Sequence, residues 1–199
     1  GSEMCIRDRI VTPYYSKPSQ HGILRHFEEI SKITDLPIMA YNIPGRTSTL
    51  IELETLQTLV DDIGIHSIKD AVGDFEFSKK QLELLKDKVD IYSGNDNQTY
   101  DFVINGGVGV VSVASHVVGD EISEMISFAK DNDLEKAEEI NMQLSNLFEA
   151  IFEEPSPGPI KKILSESWEE VGEPLLPITS ITPELANKIR GFYKKIKEN

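Results

Sequence analysis

Residues 37–71 read PIMAYNIPGRTSTLIELETLQTLVDDIGIHSIKDA, and the order of patterns within them decides the fold. Short apolar runs at 37–42 and 65–70 flank an amphipathic stretch at 52–63, so the pattern of a buried strand gives way to that of a helix and then returns. Strand, helix and strand in that order form a βαβ unit, whose two strands lie parallel in one sheet. The same alternation recurs on either side. Further strands are expected at 10–14, 89–93 and 108–113, and helices at 20–33, 75–87 and 97–105. All the strands are short and apolar enough to be buried on both faces. Ser19 precedes the first helix and Asp74 can cap the third, since their side-chain oxygens suit the unpaired N–H groups of a helix start.

Beyond residue 113 the pattern changes. Helices are expected at 120–131, 134–152, 159–170 and 183–197 with no strand among them, and Pro155, Pro157, Pro159, Pro174, Pro177 and Pro183 break them apart. Repeated strand–helix units indicate either an open doubly wound sheet or a (β/α)8 barrel. A whole barrel takes about 250 residues and eight strands, and five strands can be placed here. The expected architecture is α/β: a partial TIM barrel at 10–118, then the final barrel helix and a C-terminal helical extension at 119–199. Residues 1–9 fit neither period. Gly1 and Ser2 resemble the remnant of a cleaved tag, so this segment is set aside from fold reasoning.

Composition narrows the function classes. The 199 residues, 39% hydrophobic, are enough to bury the core of one globular domain. No apolar run approaches the ~18 residues that cross a bilayer, and the start lacks the pattern of a signal peptide, so a cytoplasmic protein is expected. With 34 acidic against 20 basic residues the formal charge is -14, which repels a phosphate backbone and an anionic membrane alike; neither nucleic acid nor membrane is an expected partner. A single cysteine, Cys5, excludes an internal disulfide and a CxxC metal site, and the four histidines are not clustered. No metal is expected.

Parallel α/β folds place their chemistry at the carboxyl ends of strands, and four of the five expected strands end in polar, unusual sequence: VTPYY at 11–15, YNIPGRT at 41–47, SIKDA at 67–71 and SGND at 93–96. Lys69 is the sharpest candidate. A lysine in a buried strand is desolvated, which favours the neutral amine, and a neutral amine attacks ketones and aldehydes to form a Schiff base. On spacing alone, a strand-end lysine more often snorkels to solvent or pairs with a neighbour such as Asp70 or Asp74. Tyr41 ends the preceding strand, where a phenol could pass protons to a lysine-bound intermediate or simply pack in the core. Arg46 follows in a Pro-Gly turn; its planar fork suits a substrate carboxylate, and a solvated loop charge is the alternative. Tyr14 and Tyr15 form an aromatic pair suited to an interface or a core.

These four motifs, with the run GGVGVVSV at 106–113, occur in the order and spacing of the dihydrodipicolinate synthase family, which the chain resembles over residues 10–199. The less close echo PGPIK at 157–161 extends the likeness into the C-terminal helices. The resemblance implies a Schiff-base lyase of lysine and diaminopimelate biosynthesis, in which Lys69 forms an imine with pyruvate and the derived enamine attacks aspartate semialdehyde. It implies Tyr41 as proton donor and acceptor, and Tyr15 as a relay reaching across a subunit interface. Arg46 would hold the semialdehyde carboxylate, and Val111 would line the pyruvate pocket through its backbone. No organic cofactor is implied; a homo-oligomer is expected, because a barrel short of three strands leaves two open edges and an apolar interior stripe that seek partners.

Family members begin with three βα units that have no counterpart here, among them the loop that binds the pyruvate carboxylate and supplies a relay threonine. The chain therefore reads as N-terminally truncated, with synthase activity weakened or lost. Tyr14 is the sole match to the family's lysine-feedback residues, so no regulation by lysine is expected. Other pyruvate-dependent aldolases, such as sialic-acid or keto-deoxy-sugar lyases, share the lysine but are disfavoured by Arg46. A catalytically dead truncated barrel serving as an assembly unit is the non-enzymatic alternative.

Overall fold

The computed structural model describes residues 8–198; Cys5 and the rest of residues 1–7 lie outside them. The chain divides after Val111 into two compact units. The first is a five-stranded sheet made of β1 (Asp8–Val11), β2 (Ile38–Asn42), β3 (Ser67–Asp70), β4 (Asp90–Ser93) and β5 (Gly109–Val110). Every neighbouring pair is parallel, and the spatial order follows the chain order without reversal. A doubly wound sheet reverses its order at a switch point, whereas a (β/α)8 barrel does not. The sheet is therefore part of a barrel wall, as expected.

The connections are α1 (Gln20–Ser31), α2 (Pro44–Thr47) with α3 (Leu53–Asp61), α4 (Phe75–Leu84), and a 3-10 turn leading into α5 (Thr99–Ile104). Ser19 caps α1 by accepting from Gly22 N–H, and Asp74 caps α4 by accepting from Glu76 and Phe77 N–H. Several boundaries differ from expectation: β1 ends at Val11 rather than at residue 14, and β3 starts at Ser67 rather than at residue 65. β1 begins at Asp8, so Asp8 and Arg9 belong to the sheet, paired with Ile38 and Met39; a ladder is built from backbone groups and admits charged side chains at an edge. β5 is confined to Gly109–Val110, although Val108 and Val111 still donate to Ile91 and Ser93 carbonyls at 2.9 Å. A further difference is α2, one helical turn where a Pro-Gly turn is expected, with Pro44 in the first position that proline favours.

Successive residues of a strand face opposite sides. Ile38, Ala40, Ile68 and Ile91 face one side and join Ile23, Phe27, Leu56, Leu59, Leu82 and Phe102 of the helices in a single core. The other side carries Arg9, Met39, Tyr41, Ser67, Lys69 and Tyr92 in matching register. There Met39, Ser67 and Lys69 are buried, Tyr41 and Tyr92 are half-buried, and Arg9 is exposed. Burial on both faces holds only in the middle of the sheet.

The second unit is all helical: α6 (Ser115–Lys130), α7 (Leu134–Ala150), α8 (Gly158–Ser167) and α9 (Pro183–Glu198). Its buried apolar residues include Ile122 and Met125, Leu144 and Leu147, Ile160 and Ile163, and Leu185 and Ile189, one pair from each helix in turn. The helix expected from residue 120 starts five residues earlier, because a turn at Ser115 is joined to it across a kink at Val118. Pro159 and Pro183 open α8 and α9, and Pro155, Pro157, Pro174 and Pro177 lie in the connections between helices.

Candidate active site

The site is built on one row of the sheet. Val11, Tyr41, Lys69 and Tyr92 are lateral partners across β1 to β4 and so point to the same side. Lys69 is 7% exposed, with its amine 4.4 Å from the centroid of the Tyr41 ring. Burial, helped by the positive charge of Arg9 and opposed by the Asp96 carboxylate, lowers the Lys69 pKa from 10.5 to about 8. At pH 7 a pKa of about 8 leaves about a tenth of the amine neutral, against about 0.03% at the ordinary value. Burial likewise raises the Tyr41 phenol above its ordinary 10, against the pull of Arg9 and Arg46. The phenol therefore keeps its proton at neutral pH and can donate it.

The loop after β2 is held by residues that the sequence reading passed over. Asn42 points to the helix side, where a polar side chain must be satisfied; it is fully buried, donates to Ile51 C=O and accepts from Ile51 N–H, both at 3.0 Å. Gln20 of α1 donates to Leu50 C=O at 2.8 Å. Thr47 donates to Thr49 C=O at 2.9 Å. These bonds tie down both ends of the turn that carries Arg46.

Asp70 does the same for the loop after β3. Its buried carboxylate accepts from Val72 N–H at 2.9 Å, Ser78 Oγ at 2.8 Å and Gln81 Nε2 at 3.2 Å. Burial raises its pKa above 3.8, while the three hydrogen bonds pull it back.

Of the five candidate residues, the structure brings Lys69 and Tyr41 into contact and sets Arg46, exposed and without an ion pair among the described residues, where its charge acts on Tyr41. Tyr15 is 95% exposed on backbone of φ 66°. Val111 is half-buried and held by its backbone bond to Ser93. Tyr92 was missed, although strand alternation would have placed it beside Lys69; Asp96 was read only as the last residue of the polar SGND strand end, and its charge acts on the Lys69 amine. Among the described residues no group of three or more His, Cys, Asp or Glu could hold a metal ion. A groove of about 1010 Å³ lined by His66, Lys86, Lys88 and Gly106 opens at the amino ends of β3 to β5, the end of a barrel that reads as stability rather than chemistry.

This barrel wall, with a buried lysine at the carboxyl end of a strand, defines the class of protein, and comparison with known proteins narrows it. The model of the dihydrodipicolinate synthetase family matches residues 8–196. The chain belongs to that family. It is 36% identical over 189 residues to the 4-hydroxy-tetrahydrodipicolinate synthase of Listeria monocytogenes serotype 4b, covering 95% of this chain and 64% of the relative. It is 42% identical over 182 residues to that of Thermosynechococcus vestitus, covering 91% and 62%. Among solved structures, dihydrodipicolinate synthase from Bacillus anthracis superposes with a TM-score of 0.91 at 36% identity, over 96% of this chain and 65% of that one. The chloride-inhibited enzyme from Acinetobacter baumannii, complexed with pyruvate, gives 0.93 at 30% identity, over 98% and 67%. The chain thus spans 64% of the length of the Listeria relative.

Proposed function

We propose that the protein is a lyase that joins pyruvate to aspartate semialdehyde through a Schiff base on Lys69, a step of lysine and diaminopimelate biosynthesis. The observation that carries this reading is the buried Lys69 amine over the Tyr41 ring, with its pKa lowered to about 8. The neutral amine attacks the ketone carbon of pyruvate and water leaves, giving an imine. Loss of a methyl proton turns the imine into an enamine, whose carbon attacks the aldehyde. The amine of the semialdehyde then displaces Lys69 from the former ketone carbon, closing the ring and freeing the lysine. Tyr41 passes protons in these steps. Arg46 holds the semialdehyde carboxylate, and the backbone at Val111 lines the pyruvate pocket.

The protruding Tyr15 supports a role in which it completes the relay in a second copy, which makes the working form a homo-oligomer.

Borohydride reduction in the presence of pyruvate tests the central step. A pyruvate-dependent mass increase mapped to Lys69 is expected; the same adduct spread over surface lysines, or no adduct, would reject the assignment.

A further inference from the structure

The end of β4 passes very close to the end of β3. Gly94 N–H donates to Asp70 C=O at 2.5 Å. A Cβ on Gly94 would stand 2.7 Å from Ala71 Cβ, 2.9 Å from the Asp70 carbonyl oxygen and 2.9 Å from Lys69 Cε. Carbon atoms rest at about 3.5–4.0 Å from one another, and the two carbon contacts and the carbonyl-oxygen contact all fall below 3.0 Å, closer than a Cβ comes to either kind of atom. Gly94 does not have the positive φ seen at Gly73, Gly106 and Gly109; its backbone suits any residue, and what the position requires is the missing side chain.

We infer that Gly94 is a positioning residue for Lys69: its bare Cα leaves the channel in which the lysine stem lies, and a side chain there moves the amine off the Tyr41 ring. Two of the three neighbours yield only if the strand ends part. The Asp70 carbonyl is strand backbone, and Ala71 is braced by the Asp70 carboxylate, which holds the next N–H, that of Val72, at 2.9 Å. The lysine stem is the one flexible neighbour, so it gives way first. Any remaining strain separates the ends of β3 and β4 and carries along Asp96, two residues on. The charged groups acting on the amine are Arg9 and Asp96, so displacement toward water changes its titration.

The proposal depends on the imine-forming role of Lys69 only for its consequence in turnover. The test accordingly needs no pyruvate: competitive acetylation across pH, read by mass spectrometry on the Lys69 peptide. In the natural sequence Lys69 should be half-reactive near pH 8. In Gly94→Ala its reactivity at pH 7 should fall about tenfold or more, one unit of pKa being a factor of ten in neutral amine. Should Gly94→Ala fail to fold, Ala71→Gly with Gly94→Ala removes the closest contact, keeps the one with Lys69, and should show the same fall; Ala71→Gly alone should leave the profile in place. An unchanged Lys69 profile in either folded variant would overturn the proposal, as would failure of both to fold, because the lysine stem would then not be the neighbour that yields. Pyruvate trapping run alongside separates the two ideas: its absence from the natural sequence sinks the imine assignment and leaves the labelling result standing.

Discussion

Ile38, Ala40, Ile68 and Ile91 on one face of the sheet, and Met39, Tyr41, Lys69 and Tyr92 on the other, come from the same three strands, one residue out of step. The first set packs against α1, α3, α4 and α5 in a continuous apolar core. The second set holds an amine against a phenol ring with the charge of Arg9 alongside. Stability and chemistry are thus carried by alternate residues of the same segments, and a register slip of one residue would exchange them. The second face is bought at the expense of stability, since a buried lysine disfavours its own charged form.

The largest expected contrast is at the centre of each face. Lys69→Ala should abolish the pyruvate-dependent adduct completely, as read by intact mass. Ile68→Ala, its neighbour on the other face, should instead lower unfolding free energy by about 2–5 kcal/mol, the usual loss for a deleted core side chain, with the Lys69 labelling profile unchanged. A change in that profile would show that the two faces are not separable.

Lys69→Met should stabilise the protein at pH 7. The lowered pKa means that the unfolded chain holds more protons than the folded one, so the penalty is full below about pH 8 and disappears as pH rises toward 10.5. The gain, measured by urea unfolding, is at most about 3 kcal/mol, and it should shrink over that interval. A gain independent of pH would mean that packing, not charge burial, is responsible.

Tyr41→Phe should slow pyruvate trapping about a hundredfold, in the range for loss of a proton-transfer group, with thermal stability little changed. In the natural sequence the trapping rate should climb about tenfold per pH unit below the lysine pKa and level off above about pH 8.

The smallest effect is expected at Asp70, on the helix-covered face. Its raised pKa favours the protonated folded form, so its contribution to stability is fully present below pH 3.8 and falls as pH rises through the folded value. Asp70→Asn should flatten that dependence and shift stability at pH 7 by no more than about 1 kcal/mol, since relief of a buried charge opposes weakened hydrogen bonds.

Much of this was legible in advance. The βαβ alternation, the caps at Ser19 and Asp74, and Lys69 at a strand end follow from local pattern, because hydrophobic period and helix-end chemistry are properties of neighbouring residues. The α2 turn, the kink at Val118 and the short β5 were not: neither a single helical turn nor a kink has a hydrophobic period to read, and β5 is defined by its pairing with β4. Asn42 could have been read: a polar residue in the apolar row of a strand demands a partner. Gly94 could not, because the contacts that exclude a side chain there come from residues 69–71.

The sequence by itself determined that parallel strands alternate with helices, that four strand ends are polar, and that one of them holds a lysine. Only the tertiary structure decided that the strand order runs without reversal, that Tyr41 and Lys69 share a row, and that the amine is buried deeply enough to lose much of its basicity. The physical reason is range. Periodicity and capping act over a few residues, whereas register, burial and the field at a titrating group are set by segments tens of residues apart, which meet only when the chain has folded.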